Sequence, residues 1–199
     1  MKMTPHIVRT YLLLAAFLLA LPTIGTKFYH GQTGKFLVAS ENIRYEPFRE
    51  SIIYISRHNL FGAFGLVINK PIDMKKLREV YPDLPENVGD LRLGGPVGLY
   101  DQATAIYANH PQEPEVDRDR DRELSLEELM KLVERYPHKK VFIGYSGWGP
   151  LQLEMEIIRG TWTVVDAPPD IIFEDNNTFD LWRKLRSIRK NDLYEDQKI

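Results

Sequence analysis

His58 is the residue around which a chemical reading of this chain can be built. An imidazole acts as a general base when a carboxylate or hydroxyl lies within about 3 Å. Glu154 and Glu156 are the acids whose segment can come against it if the hairpin carrying His58 folds over. Two residues apart on one helix, these carboxylates point about 200° from each other, so they cannot both face one cleft. Gln152 and Glu156 share a helix face at i, i+4 spacing, as do Leu153 and Ile157. If Leu153 and Ile157 are buried, Glu154 lies beside the inward stripe. Its structural reading is to hold backbone N–H groups of a neighbouring loop, with Gly94-Gly95 as that loop. His58 likewise has a bland reading, a hairpin histidine bonded to backbone.

Other constellations are weaker. Ser146 follows a strand and sits in Gly-Tyr-Ser-Gly-Trp, but a nucleophile elbow needs glycine two residues after the serine, and Trp148 stands there. Ser146 therefore reads as a small residue in a tight turn. Asp117 to Glu128 places acidic groups at loop positions of a calcium-binding EF-hand. Arg122 occupies the place of the required glycine, and Pro111 and Pro114 spoil the entering helix. Weak calcium binding is the alternative there, and a capping box from Ser125 to Glu128 is the simpler account. No phosphate-cradling loop, dinucleotide fingerprint or His-Glu-x-x-His zinc motif occurs in the sequence, so no metal site and no cofactor are expected.

These residues must be positioned by elements that can be read in order. Gly34–Ala39, Ser51–Ser56, Ala63–Asn69, Leu91–Leu93 and Gln102–Tyr107 read as strands, the second and third forming a hairpin. Asp73 caps a helix through Tyr81. His110–Arg122 reads as an exposed loop, and a helix covers Ser125–Tyr136. Val141–Ile143 is a buried strand that enters a tight turn. There Gly144, Gly147 and Gly149 supply unusual backbone conformations, and Pro150 opens a helix that stops at Gly160. Thr161–Asp166 and Ile171–Phe173 read as further strands, and Asn177 or Thr178 caps a last helix. Strands in runs with helices irregularly interspersed argue for an α+β fold.

The chain has 199 residues, 43% of them apolar and 27% charged, with a net charge of −2 and no cysteine. That suits one domain and excludes disulfides, thiolate metal sites and cysteine nucleophiles. The near-neutral charge gives no electrostatic case for nucleic acid, although Arg183, Arg186 and Lys190 line one side of the last helix. Ahead of the domain, Lys2, His6 and Arg9 precede the apolar run Tyr11–Leu21, followed by Pro22 and small residues. The pattern is that of an export signal or an uncleaved anchor, with membrane association through residues 7–24. The organisation expected is therefore a signal-like segment over 1–26, one domain over 27–190 and a frayed tail over 191–199.

Three segments in order carry a family resemblance: His58-Asn59 with Gly62–Pro71, then Gly94-Gly95-Pro96-Val97, then Gly144–Pro150 with Gln152, Glu154 and Glu156. Together they resemble the YqgE/AlgH family, over roughly Gly34 to Leu185. The resemblance implies an α+β fold with a strongly bent, partly barrel-like mixed β-sheet flanked by about four helices. It implies no reaction. It also implies a cytoplasmic location, against the exported or membrane-tethered one that the N-terminal run suggests. The chain departs from the family pattern at Ser146 and Leu151, where alanine and glycine are usual. It departs again at Tyr107 or Ala108, where a histidine is common.

The first expectation of function is a non-enzymatic binding or regulatory protein that recognises a partner protein or a small ligand. Its surface would form where the His58 hairpin, the Gly94 loop and the Gly144–Pro150 turn converge. The residues expected there are His58, Asn59, Asn69, Gly94, Gly95, Pro96, Tyr145, Trp148, Gln152 and Glu154. The second expectation is a hydrolase-like enzyme using His58 with a nearby acid. An enzyme should seat that pair in a pocket, whereas a binding module needs an exposed apolar or backbone-rich patch.

Overall fold

The computed structural model describes residues 31–82, 84, 91–99, 102–118, 126–174 and 178–195. Nine strands, β1 (Phe36–Ala39), β2 (Ile52–Asn59), β3 (Gly62–Val67), β4 (Leu91–Leu93), β5 (Ala103–Ala108), β6 (Glu115–Arg118), β7 (His138–Ile143), β8 (Ser146–Trp148) and β9 (Trp162–Val165), are found among the described residues. Among these residues there are also four α-helices, α1 (Met74–Val80), α2 (Leu126–Val133), α3 (Gln152–Ile158) and α4 (Thr178–Glu195). The fold is α+β, as expected. The strands divide into a five-stranded sheet, β8-β3-β2-β1-β9, and a four-stranded sheet, β4-β7-β5-β6, without closing into a barrel. The β4–β7 pair is parallel and the others are antiparallel.

Alternation along β1, β2 and β3 gives the five-stranded sheet two apolar faces. Phe36, Val38, Ile52, Tyr54, Phe64 and Leu66 face one core, shared with Ile106 and Phe142 of the second sheet and with Leu181, Trp182 and Leu185 of α4. Leu37, Ile53, Ile55 and Val67 face the other, closed by Leu153 of α3 with Trp148 and Trp162. A third core lies beyond the four-stranded sheet, under Leu77 of α1 and Leu129 and Val133 of α2. Each sheet is thus buried on both sides, and α3 is the lid of the outermost layer.

Local chemistry explains the helix ends. Asp73 caps α1 as expected, its carboxylate accepting from the N–H groups of Lys75 and Lys76. Gly160, at φ +73°, ends α3: Gly160 N–H bonds the Ile157 carbonyl and Thr161 N–H bonds that of Glu156.

Several segments differ from expectation. Glu115–Arg118, read as loop, pairs with β5 as the edge strand β6. Asp117, the first ligand position of the calcium alternative, therefore lies in a strand where an EF-hand requires its entering helix. Residues 119–125 of that segment lie outside the described residues, as does the signal-like segment over 1–26. Ile171–Phe173, read as strand, belongs to a 3₁₀ turn over Pro169–Phe173, initiated by proline. The helix expected to fray after Asn191 continues to Glu195. No helix among the described residues is long and apolar enough to cross a membrane.

Candidate functional site

A bulge decides where His58 points. Ile55 pairs with Gly65, but Arg57 pairs with Phe64, so β2 gains a residue at Ser56. Because side chains alternate with period two, one extra residue exchanges the faces. Arg57 falls on the Phe64 side, and His58 falls on the Ile55 side, beneath α3. There His58 Nε2 lies 2.8 Å from Glu154 Oε1, and its side chain is only 6% exposed. Gln32 N–H donates to His58 Nδ1 at 3.0 Å. Since Nδ1 accepts, Nε2 carries the ring hydrogen and donates it to Glu154. Both ring nitrogens are thus engaged. Gly31 lies flat on the ring, where a Cβ would sit 2.4 Å from Nδ1.

Glu154 therefore serves His58 and not the Gly94-Gly95 loop. The reason is helical phase. Leu153 and Ile157 define the inward stripe of α3, and Glu154 and Glu156 fall about 80° to either side of its centre. Glu154 reaches β2 on one flank. On the other, Glu156 Oε2 accepts from the indole nitrogens of Trp148 at 2.9 Å and Trp162 at 2.7 Å. Glu156 Oε1 accepts from Gln152, which itself receives the Gly149 N–H. The two indoles meet edge to face, centroids 6.2 Å apart. Two carboxylates and Leu153 thus bolt α3 to three strands. Pro150 is not the first residue of this helix: Leu151 precedes Gln152 in a left-handed conformation at φ 60°.

The Gly94 segment does meet the Gly144 turn, through backbone. Gly94 N–H bonds the Ile143 carbonyl and Val67 N–H bonds Gly94 O, stitching the two sheets together. A Cβ on Gly94 would sit 2.2 Å from the Gly144 carbonyl oxygen. Val97 and Tyr145 exchange N–H···O bonds at 3.0 and 2.8 Å. Gly144 takes positive φ, but Gly147 and Gly149 do not, since β8 is a strand rather than a turn. Ser146 is buried within β8, its Oγ 3.4 Å from Gly94 O. Asn69 is also buried and internal, accepting from Ile52 N–H and donating to Glu50 O. Pro96 is exposed at the loop crest.

On the face opposite α3 a groove of about 640 Å³ opens. Arg57, Asn59 and Gln102 supply its polar groups; Phe61, Phe64 and Tyr145 supply much of its apolar wall, with Trp148 at the end. Phe64 and Tyr145 stack, centroids 4.7 Å apart at 23°. Arg57 is exposed, and its guanidinium makes no ion pair or hydrogen bond with other described residues. No acidic residue lines the groove among those described. Of the residues expected at the surface, Asn59, Tyr145 and Trp148 line this groove; His58, Asn69, Gly94, Gly95, Gln152 and Glu154 do not. Arg57, Phe61 and Gln102 were not foreseen. Among the described residues no cluster of three histidine or acidic residues could hold a metal ion.

Fold and site together define an α+β protein with a sheet-face groove and a buried histidine–carboxylate pair behind it. Residues 36–192 match the AlgH-like family, DUF179, and the chain belongs to that family. A UPF0301 protein of Desulfotalea psychrophila is 36% identical over 151 residues, covering 71% of this chain and 79% of that protein. The solution structure of the AlgH protein from Pseudomonas aeruginosa superposes with a TM-score of 0.56 at 27% identity, covering 74% of this chain and 84% of that one. A crystal structure of a Corynebacterium diphtheriae protein shares the fold at 20% identity and a TM-score of 0.54, covering 76% and 83%. Family and fold are thereby fixed, and none of these relatives carries a named reaction.

Proposed function

We propose that this protein is a non-enzymatic recognition module whose working surface is the groove between the β2–β3 hairpin and the Val97–Tyr145 bridge. Its ligand, borne by a partner protein or free, presents an anionic group to Arg57 and an apolar or aromatic group to Phe61 and the Phe64–Tyr145 stack. The observation carrying this reading is a guanidinium with no ion pair or hydrogen bond among the described residues, beside stacked aromatics in a groove that none of the described acidic residues lines. Arginine recognises carboxylates and phosphates through paired N–H donors, and flat rings offer large contact area at small entropic cost. The His58–Glu154 pair meets the distance criterion for acid–base work, but it lies under α3 with both ring nitrogens engaged and faces away from the groove. That arrangement supports a positioning role for the pair.

Amide chemical-shift mapping tests the reading with two benzyl probes of opposite charge, phenylacetate and benzylamine. Phenylacetate is expected to perturb Arg57, Asn59, Gln102 and Gly147, and benzylamine is not. The response is expected to weaken at least about tenfold in Arg57→Gln, the worth of one charged hydrogen bond. Silence towards both probes, or equal response to both, would overturn it.

A further inference from the structure

Large apolar side chains are exposed on α3 and on the tip of the β2–β3 hairpin. Met155 and Ile158 lie at i, i+3 spacing on the outward side of α3, and Leu151 stands just ahead of its first turn, with Leu151 68% and Ile158 77% exposed. The β2–β3 hairpin tip, Leu60 and Phe61, adjoins the start of this stretch: a Cβ on Gly62 would lie 2.0 Å from the Trp148 carbonyl oxygen and 3.2 Å from Gly149 C. Phe61 is 83% exposed. Both carboxylates of α3 are turned from its outward face, Glu154 to His58 and Glu156 to the two indoles. Gln152 and Arg159 are what it exposes besides the apolar groups.

The chain enters the domain at this same place. Gly31 and Gln32 contact His58, which bonds α3. Nine residues, Pro22–His30, separate that point from the apolar run Tyr11–Leu21. Fully extended they span at most about 30 Å. A run seated in a bilayer therefore holds this side of the domain within that distance of the lipid. The rim protrudes, on a hairpin tip and a helix face, and protruding apolar groups beside an arginine suit insertion at a headgroup boundary.

We infer that the apolar run Tyr11–Leu21 seats the chain at a bilayer, and that Leu60, Phe61, Leu151, Met155 and Ile158 form a membrane-docking rim by which the domain lies on it. The rim is separate from the groove, which opens on the other face of the sheet and shares only Phe61 with it.

The chain lacks cysteine, so single-cysteine variants can be labelled cleanly. Full-length Met155→Cys and Ile158→Cys carry an environment-sensitive fluorophore, with Glu113→Cys, before β6 in the other sheet, as reference. Each is mixed with vesicles of three parts phosphatidylethanolamine to one part phosphatidylglycerol, with and without nitroxide-labelled lipid. The expected result is flotation with the vesicles, a blue shift at positions 155 and 158, and loss of their emission to the nitroxide, with position 113 unaffected. Phenylacetate binding by both variants should match wild type, which separates the rim from the groove. Three results overturn the inference. The protein could fail to float; it could float with positions 155 and 158 unquenched; or those labels could already emit blue before lipid is added, showing the rim covered by the chain itself or a second copy.

Discussion

Replacing Glu156 with alanine removes the acceptor of two indoles at once. Trp148 and Trp162 are 7% and 3% exposed, and both donate to the same oxygen, Oε2. A buried donor left without a partner costs about 1–3 kcal/mol. Both bonds are only partly shielded, so the lower part of that range applies to each, giving about 2–4 kcal/mol in total. For a domain of this size that corresponds to a fall in Tm of about 5–15 °C. Glu156→Gln keeps one acceptor oxygen for the indoles but loses the charge and the bond from Gln152, which lowers the expected cost to about 1–2 kcal/mol. Urea unfolding followed by far-ultraviolet circular dichroism measures both, and the indole emission reports the same clamp locally. An alanine variant within about 0.5 kcal/mol of wild type would mean that water replaces the carboxylate, and the account of how α3 is held would fall.

His58→Ala should cost about 1–3 kcal/mol in the same unfolding assay, because it strands the Gln32 N–H and a carboxylate oxygen of Glu154. Gly62→Ala should be more damaging than an ordinary hairpin substitution, by at least about 2 kcal/mol, since the new Cβ would lie 2.0 Å from the Trp148 carbonyl oxygen at φ +130°; a calorimetric Tm within 2 °C of wild type would refute the close approach. Burial pushes the Tyr54 phenol above the ordinary value of 10.0. The folded state then holds its proton where the unfolded chain loses it, so the contribution is full below pH 10 and is lost as pH rises from there through the folded value. Urea unfolding at pH 9 and pH 11 should show a smaller alkaline loss in Tyr54→Phe than in wild type.

Apolar alternation and turn chemistry made most of the fold legible in the sequence. Strands rich in branched residues and the Asp73 and Gly160 helix signals were enough to place β1 to β5 and the helices within a few residues. What escaped was set by pairing rather than by local preference. Glu115–Arg118 has the composition of a loop and becomes a strand because β5 offers it an edge. Ser146–Trp148, between glycines, reads as a turn and is held extended by β3. The same limit applies to the site. The convergence of the three glycine-bearing segments could be anticipated, because small residues allow backbones to touch, as at Gly94 and Gly62. The side to which His58 points could not, because it depends on the one-residue bulge at Ser56. That bulge sends His58 to Glu154 and leaves Arg57, its unremarked neighbour, in the groove.

If recognition rests on Arg57 and His58 is structural, one comparison separates the two residues. Phenylacetate affinity, measured by amide shifts, should be held within about twofold in His58→Gln and fall at least about tenfold in Arg57→Gln, the worth of one charged hydrogen bond. The opposite pattern, affinity lost with His58 and kept without Arg57, would contradict it and move the working site to the far side of the sheet.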